Sequence, residues 1–231
     1  MAEPDVTLRE LSDRFSDTLW EPGKHKISCI SFVLEIHEIM LMQGIRRFDD
    51  HLVDVLIAEF RKKNNRNATI NRKLSAFYKL LKKAERSGMI KRLPTYVRLP
   101  EKNGRIRFFT IDEENRFFEA MRERSEDHYR LCLFLIDTGA RVGEALGLKW
   151  GDLTHQRATF WITKSGRSRT IPMTARASEA VFSQMHPVGP FANIEYPRFL
   201  YDWNAIKKKV GLDDDKQIVP HILRHTCASR L

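Results

Sequence analysis

The stretch Thr138-Gly-Ala-Arg-Val-Gly-Glu-Ala-Leu-Gly-Leu-Lys149 sets a short helical pattern between glycines. Val142, Ala145 and Leu146 fall on one face and predict its buried side, which leaves Arg141 and Glu144, three residues apart, together on another. Arg141 falls in the first turn, where the helix macrodipole disfavours a cation unless an anion is also present. A bound phosphate resolves that conflict, because helix N-termini and arginines both attract it. Taken alone, the spacing also fits an ordinary surface ion pair.

Reading outward, the pattern predicts a helix from about Glu126 to Asp137, ending at Thr138-Gly139. Before it, Thr110-Ile-Asp-Glu113 forms a capping box that opens a helix through Met121. After it, Arg157 to Lys164 alternates Ala158, Phe160 and Ile162 against Thr159, Trp161 and Thr163. Ser165-Gly166 and a second extended run, Ser168 to Pro172, follow. This is a β-hairpin with Lys164 at its turn. Helices over about Ala175 to Met185 and Arg198 to Val210 lead to Pro220, which suits the first position of a last helix carrying His221, Arg224 and His225. On that helix Leu223, Cys227 and Leu231 make a core stripe, while His221 and Arg224 share a different face. Two histidines four apart also fit a zinc site. However, Ile222 stands where a His-Glu-x-x-His enzyme needs its general base, and no further ligand cluster is evident.

The first half of the chain has a different character. From Arg61 to Arg107 there are sixteen Lys and Arg against Glu85 and Glu101, +14 in a chain whose total is +10. Such a block can be no more than a solvated surface. Within Arg66 to Arg86, however, Ile70, Leu74, Phe77, Tyr78, Leu81 and Ala84 form an apolar stripe at helical spacing. Arg72, Lys79, Lys83 and Arg86 line the opposite side with Asn71 and Ser75 beside them, a surface suited to tracking phosphates. Three earlier helical patterns, Thr7 to Leu19, Lys26 to Gln43 and Asp50 to Lys63, are separated by Glu21-Pro22-Gly23 and Gly44. They predict a four-helix domain over residues 1–88. Met89 to Asn103, with Pro94 and Pro100 and no helical period, reads as a basic linker lying along the same polyanion, so 89–104 separates this domain from a second over 105–231.

Composition narrows the function. The 231 residues are 42% apolar, enough for a sizeable core, and the net charge of +10 favours polyanionic partners, nucleic acid first. No apolar run approaches the ~18 residues of a membrane span, and the acidic start of the chain lacks the pattern of a secretory signal, so a cytoplasmic location is expected. Cys29, Cys132 and Cys227 are odd in number and far apart, as reduced core residues are. Neither Gly-x-x-x-x-Gly-Lys nor Gly-x-Gly-x-x-Gly occurs, so no nucleotide cofactor is expected.

Three signatures in order carry a resemblance: Thr-Gly-Ala-Arg141-Val-Gly-Glu144-Ala-Leu, Thr-Lys164-Ser-Gly-Arg-Ser-Arg-Thr-Ile-Pro172 and His221-x-x-Arg224-His225. Together they resemble the tyrosine recombinases, the phage integrases and related site-specific recombinases, over the whole second domain. The basic first domain is similar to the family's core-binding clamp. The resemblance implies a mainly α fold with a small antiparallel β-sheet. It implies double-stranded DNA as partner, self-association on DNA, and strand cleavage through a 3′-phosphotyrosyl link with neither metal nor cofactor. Arg141 and Arg224 would hold the non-bridging phosphate oxygens. Lys164 would protonate the leaving 5′ oxygen, His221 would act as acid or base, and Glu144 would support Arg141 or the histidine. The family places its nucleophilic tyrosine beyond the His-x-x-Arg helix. Tyr78, Tyr96, Tyr129, Tyr196 and Tyr201 all precede His221, so none is taken as nucleophile. The expectation is a catalytic domain lacking its last helices, unable to cleave alone and with part of its apolar surface uncovered. The alternative is a non-catalytic DNA-binding accessory or inhibitor derived from an integrase.

Overall fold

Two of the first four helices start where a side chain satisfies their exposed N–H groups. The computed structural model describes residues 6–101, 106–161, 167–183 and 186–230. Thr7 caps α1 (Leu8–Leu19) in a box with Glu10, and Asp49 caps α3 (Asp50–Lys62) by accepting from the Leu52 N–H at 3.0 Å. Between them α2 (Lys24–Met42) enters from Gly23, whose φ of 137° suits glycine alone. The longest helix, α4 (Asn67–Arg86), buries Ile70, Leu74, Phe77, Leu81 and Ala84, the stripe read from its period. Leu8 and Leu11 of α1, Val33 and Ile36 of α2, and Leu52, Leu56 and Phe60 of α3 complete one core. Each fully buried side chain of this kind contributes about 1.5–3 kcal/mol.

The chain divides into two compact units, Met1–Asn103 and Gly104–Leu231. The stretch expected to be a linker therefore falls within the first unit. Residues 89–101 are not helical, but Met89, Ile90, Leu93, Tyr96 and Leu99 pack on the first core. Their polar groups are met by helix side chains: Tyr78 donates to the Pro94 carbonyl at 2.7 Å, and the Thr95 N–H donates to Asp50 Oδ1 at 2.6 Å. Asn71 donates to the Leu99 carbonyl at 2.9 Å and accepts from the Leu99 N–H at 3.0 Å. The prolines that break the helical period do not free the segment, because its hydrogen bonds are supplied from outside it.

In the second unit α5 (Ile111–Arg124) starts from the Thr110–Glu113 capping box and runs one turn beyond Met121. Ser125 then caps α6 (Glu126–Thr138), whose residues Leu131 to Ile136 are all buried. This makes α6 the central helix, with α5, α7 (Val142–Leu146), α8 (Ala175–Phe182) and α10 (Ile222–Ser229) packed against it. A three-stranded antiparallel sheet, β1 (Leu153–Thr154), β2 (Arg157–Phe160) and β3 (Arg169–Pro172), has the order β1-β2-β3. The expected hairpin is present with Phe160 opposite Arg169, and β1 adds a strand that its two residues could not announce. The hairpin turn, with Lys164, lies outside the described residues. α9 (Tyr196–Lys209) packs on α5 through Phe199, Trp203 and Ile206.

The fold is mainly α with a small antiparallel sheet, as the sequence implied. Of the apolar stripe expected on the last helix, Leu223 is fully buried and Cys227 is half-buried, while Ile106, Ile111, Tyr196 and Val219 of the same unit are exposed. Leu231 lies outside the described residues.

Candidate active site

The site begins at the end of α6. Gly139 adopts φ 61°, and a Cβ at that position would stand 3.2 Å from Cys227 Sγ, so glycine serves both the turn and the close approach of α10. That approach lets Arg224 Nη1 donate to the Gly139 carbonyl. α10 is fixed from its other side by Thr226, whose Oγ1 accepts from the Phe109 N–H at 3.0 Å and donates to the Ile222 carbonyl at 2.8 Å.

Arg141 follows two residues later, at the N-cap of α7 rather than in its first turn. The anion that balances the macrodipole there is Glu144. Its Oε2 accepts from the Arg141 N–H at 2.9 Å, and its Oε1 accepts from Arg141 Nη1 at 2.8 Å. Arg169 of β3 adds a bidentate pair to the same carboxylate, at 2.9 and 2.6 Å. Burial pushes the Glu144 carboxyl up, but the hydrogen bonds from Arg169 and Arg141 outweigh it and hold it down at about 2. This is not the exposed ion pair that the spacing alone allowed, since the Glu144 side chain is only 8% exposed. Its hydrogen bonds come from Arg141 and Arg169.

Arg141 and His221 line one pocket of about 370 Å³ with Gly143, Leu146, Tyr196 and Val219. His221 lies at the N-cap of α10, just before the helix rather than on it, with its ring 4.7 Å from that of His225 in an edge-to-face arrangement. The His221 side chain is exposed at the pocket, and partial desolvation there, then the charges of His225, Arg224 and Arg141, lower its pKa below the ordinary histidine value. The imidazole is therefore neutral at pH 7, able to accept a proton. Among the described residues no group of three or more His, Cys, Asp or Glu could hold a metal ion, so the zinc reading gains no third ligand.

Sequence reasoning missed two residues here. Arg169 was passed over because its partner lies 25 residues away and is reached only through the sheet. Tyr196, set aside for want of a motif, stands in the wall of the pocket. The remaining tyrosines are elsewhere: Tyr78 and Tyr96 hold the 94–99 segment, Tyr129 packs beside Phe118, and Tyr201 lies between Arg124 and Arg198.

A phage integrase family model matches residues 107–231, which is more than half of the chain. The chain belongs to the phage integrase family. It is 30% identical to the tyrosine recombinase XerC of Bacillus licheniformis over 89% of this chain and 76% of that protein. It is also 34% identical to the shufflon-specific DNA recombinase of Escherichia coli over 58% of this chain and 35% of that one. The chain spans 35% of that recombinase and 29% of the Escherichia phage P2 integrase, well under half the length of either relative. Among solved structures the fold is similar to a lambda integrase dimer bound to a COC′ core site. The TM-score is 0.79, with 17% identity over 97% of this chain and 89% of that one. It is also similar to the Tn1549 transposon integrase in complex with transposon right end DNA, with TM-score 0.76 and 16% identity over 98% and 86%.

In the first unit the four residues of the expected phosphate-tracking stripe do not share one environment. Arg72 is exposed beside Glu101, and Arg86 is exposed without an ion-pair or hydrogen-bond partner among the described residues. Lys79, by contrast, donates to the Leu19 carbonyl at 2.7 Å and stands over the Trp20 ring, while Lys83 stands 5.9 Å over Phe15. These two lysines close the C-terminal end of α1. Asn71, placed beside the stripe by sequence, is buried and turned to the 94–101 segment.

Proposed function

We propose that the chain binds duplex DNA and holds one phosphodiester between Arg141, Arg224 and His221, as part of site-specific strand cleavage and rejoining. The observation that carries this reading is the meeting of Arg141 and His221 in one pocket, with Arg224 anchored on the turn that precedes Arg141. Two guanidinium groups supply rigid donors where charge develops on phosphorus oxygens, and a neutral imidazole can take a proton from an attacking hydroxyl. Lys164 is the proposed acid for the leaving 5′ oxygen, and the first unit is the proposed DNA clamp, with Arg72 and Arg86 as its phosphate contacts and self-association occurring on DNA. Family membership and relatives named as DNA recombinases support the reading.

Tyr196 is proposed as a wall residue, packed toward Phe199 with ring centroids 6.5 Å apart, and not as the nucleophile. The test uses a nicked duplex designed to trap a phosphotyrosyl intermediate. The 231-residue chain is expected to shift the duplex in a native gel and to leave no protein attached after denaturation. Absence of any shift would overturn DNA binding. An adduct lost on Tyr196→Phe would make Tyr196 the nucleophile.

A further inference from the structure

Glu144 is the acceptor of four hydrogen bonds, two from Arg141 and two from Arg169. The two arginines hold it differently. Arg169 grips it as a fork, Nη1 on Oε1 and Nη2 on Oε2, while its guanidinium also lies 4.9 Å over the ring of Phe160, its cross-strand partner. Arg141 engages the carboxylate with its backbone N–H and with one guanidinium nitrogen. One carboxylate shared by two arginines leaves a net charge of +1. The fork and the aromatic contact place the neutralised part on Arg169, which leaves the remaining positive charge on the arginine that lines the pocket.

We propose that Arg169 is a positioning residue: by taking up the charge of Glu144 it lets that carboxylate hold Arg141 in place without neutralising it toward a phosphate. The inference rests on the reading of Arg141 as a phosphate-binding residue. It assigns to β3 a part in the site that is separate from the hairpin turn. In the absence of Arg169, Glu144 and Arg141 become a closed ion pair at the pocket wall, and an incoming phosphate must compete with a buried carboxylate for the same guanidinium.

The probe is a short duplex DNA followed by fluorescence anisotropy at fixed salt, with Arg169→Gln, Arg169→Lys and the pair Glu144→Gln/Arg169→Gln. Arg169→Gln is expected to weaken binding about tenfold, the scale of one charge-assisted contact. Removing the carboxylate as well is expected to restore most of that loss, because nothing then neutralises Arg141. A single variant that binds as the wild type does, or a pair with no recovery, overturns the proposal, the latter by showing that Arg169 itself meets DNA or serves only the fold. A second readout does not need DNA: carbon-detected NMR titration of the Glu144 carboxyl. Its midpoint, about 2 in the wild type, is expected to move upward in Arg169→Gln and by less in Arg169→Lys, which keeps the charge but not the fork. An unmoved midpoint overturns the proposal. If Arg141→Ala leaves DNA affinity unchanged, the phosphate-binding reading fails, and the titration still decides what Arg169 does to Glu144. Should Arg169→Gln unfold by circular dichroism, Arg169→Lys carries both readouts.

Discussion

The basic stripe of α4 and the arginine cluster around Glu144 look alike in sequence, each a few cations at helical or near-helical spacing, yet they use their charge in opposite ways. On α4, Lys79 is engaged by the Leu19 carbonyl and the Trp20 ring and Lys83 by the Phe15 ring, and Lys73 is buried with its Nζ 2.6 Å from Glu35 and 4.4 Å over Phe60. Much of that helix's positive charge holds its own unit together. In the second unit two arginines share one carboxylate, and the surplus charge stands at a pocket. A count of lysines and arginines therefore measures binding capacity poorly; what matters is how many of them the protein has already paired.

The contrast can be broken most severely at Asn71. Asn71→Leu leaves the Leu99 N–H and carbonyl without their side-chain partner, and is expected to cost about 2–4 kcal/mol in urea unfolding of the first unit. A loss under 1 kcal/mol would mean that the 89–101 segment behaves as the linker its sequence suggested. Next in size, Arg141→Ala is expected to weaken duplex binding by about 1.4–2.8 kcal/mol, ten- to a hundredfold, with the unfolding midpoint little changed. An equal loss from Lys79→Gln would erase the distinction between the two regions.

Gly139→Ala sits between stability and function. A side chain at φ 61° meeting Cys227 Sγ is expected to cost about 1–2 kcal/mol and to disturb the carbonyl that holds Arg224. Binding should fall further than the unfolding measurement alone explains. On α4, charge reversal at Arg72 or Arg86 is expected to lower the slope of log affinity against log salt by about one unit each. Lys79→Gln and Lys83→Gln should leave the slope nearly unchanged and lower the thermal midpoint instead.

The smallest effect is with pH. Partial desolvation at the pocket and neighbouring cations lower the His221 pKa in the unbound protein, which favours the neutral ring at pH 7. A phosphate in the pocket favours the charged ring and raises that pKa, so binding takes up a proton and tightens as pH falls. About threefold between pH 8 and 6 is expected, and His221→Asn should abolish it. Affinity that weakens over that interval would place the phosphate away from His221.

What was legible in the sequence follows the range of the interactions. Helix periods, the Thr110–Glu113 box and the Arg141–Glu144 pair are local, closed within four residues, and the structure has each of them. Asn71 was readable only in part: it falls beside Tyr78 on the helix, at the edge of the apolar stripe, and both side chains reach residues 94–99. Its sequence neighbours placed it among cations, and nothing local revealed that a proline-containing segment would need its amide. Arg169 was invisible for a similar reason, since only the pairing of β2 with β3 brings it to Glu144.

The central claim is that the second unit holds a phosphodiester with Arg141, Arg224 and His221. Its most direct test is an NMR titration that follows arginine Nε–Hε and histidine ring signals while a short duplex is added. The expected result is that Arg141, Arg224 and His221 shift together and saturate at one duplex concentration, in the wild type and in a variant with Arg72 and Arg86 neutralised. Movement of Arg72 and Arg86 alone, with the Arg141 and His221 signals unchanged at saturation, would contradict it.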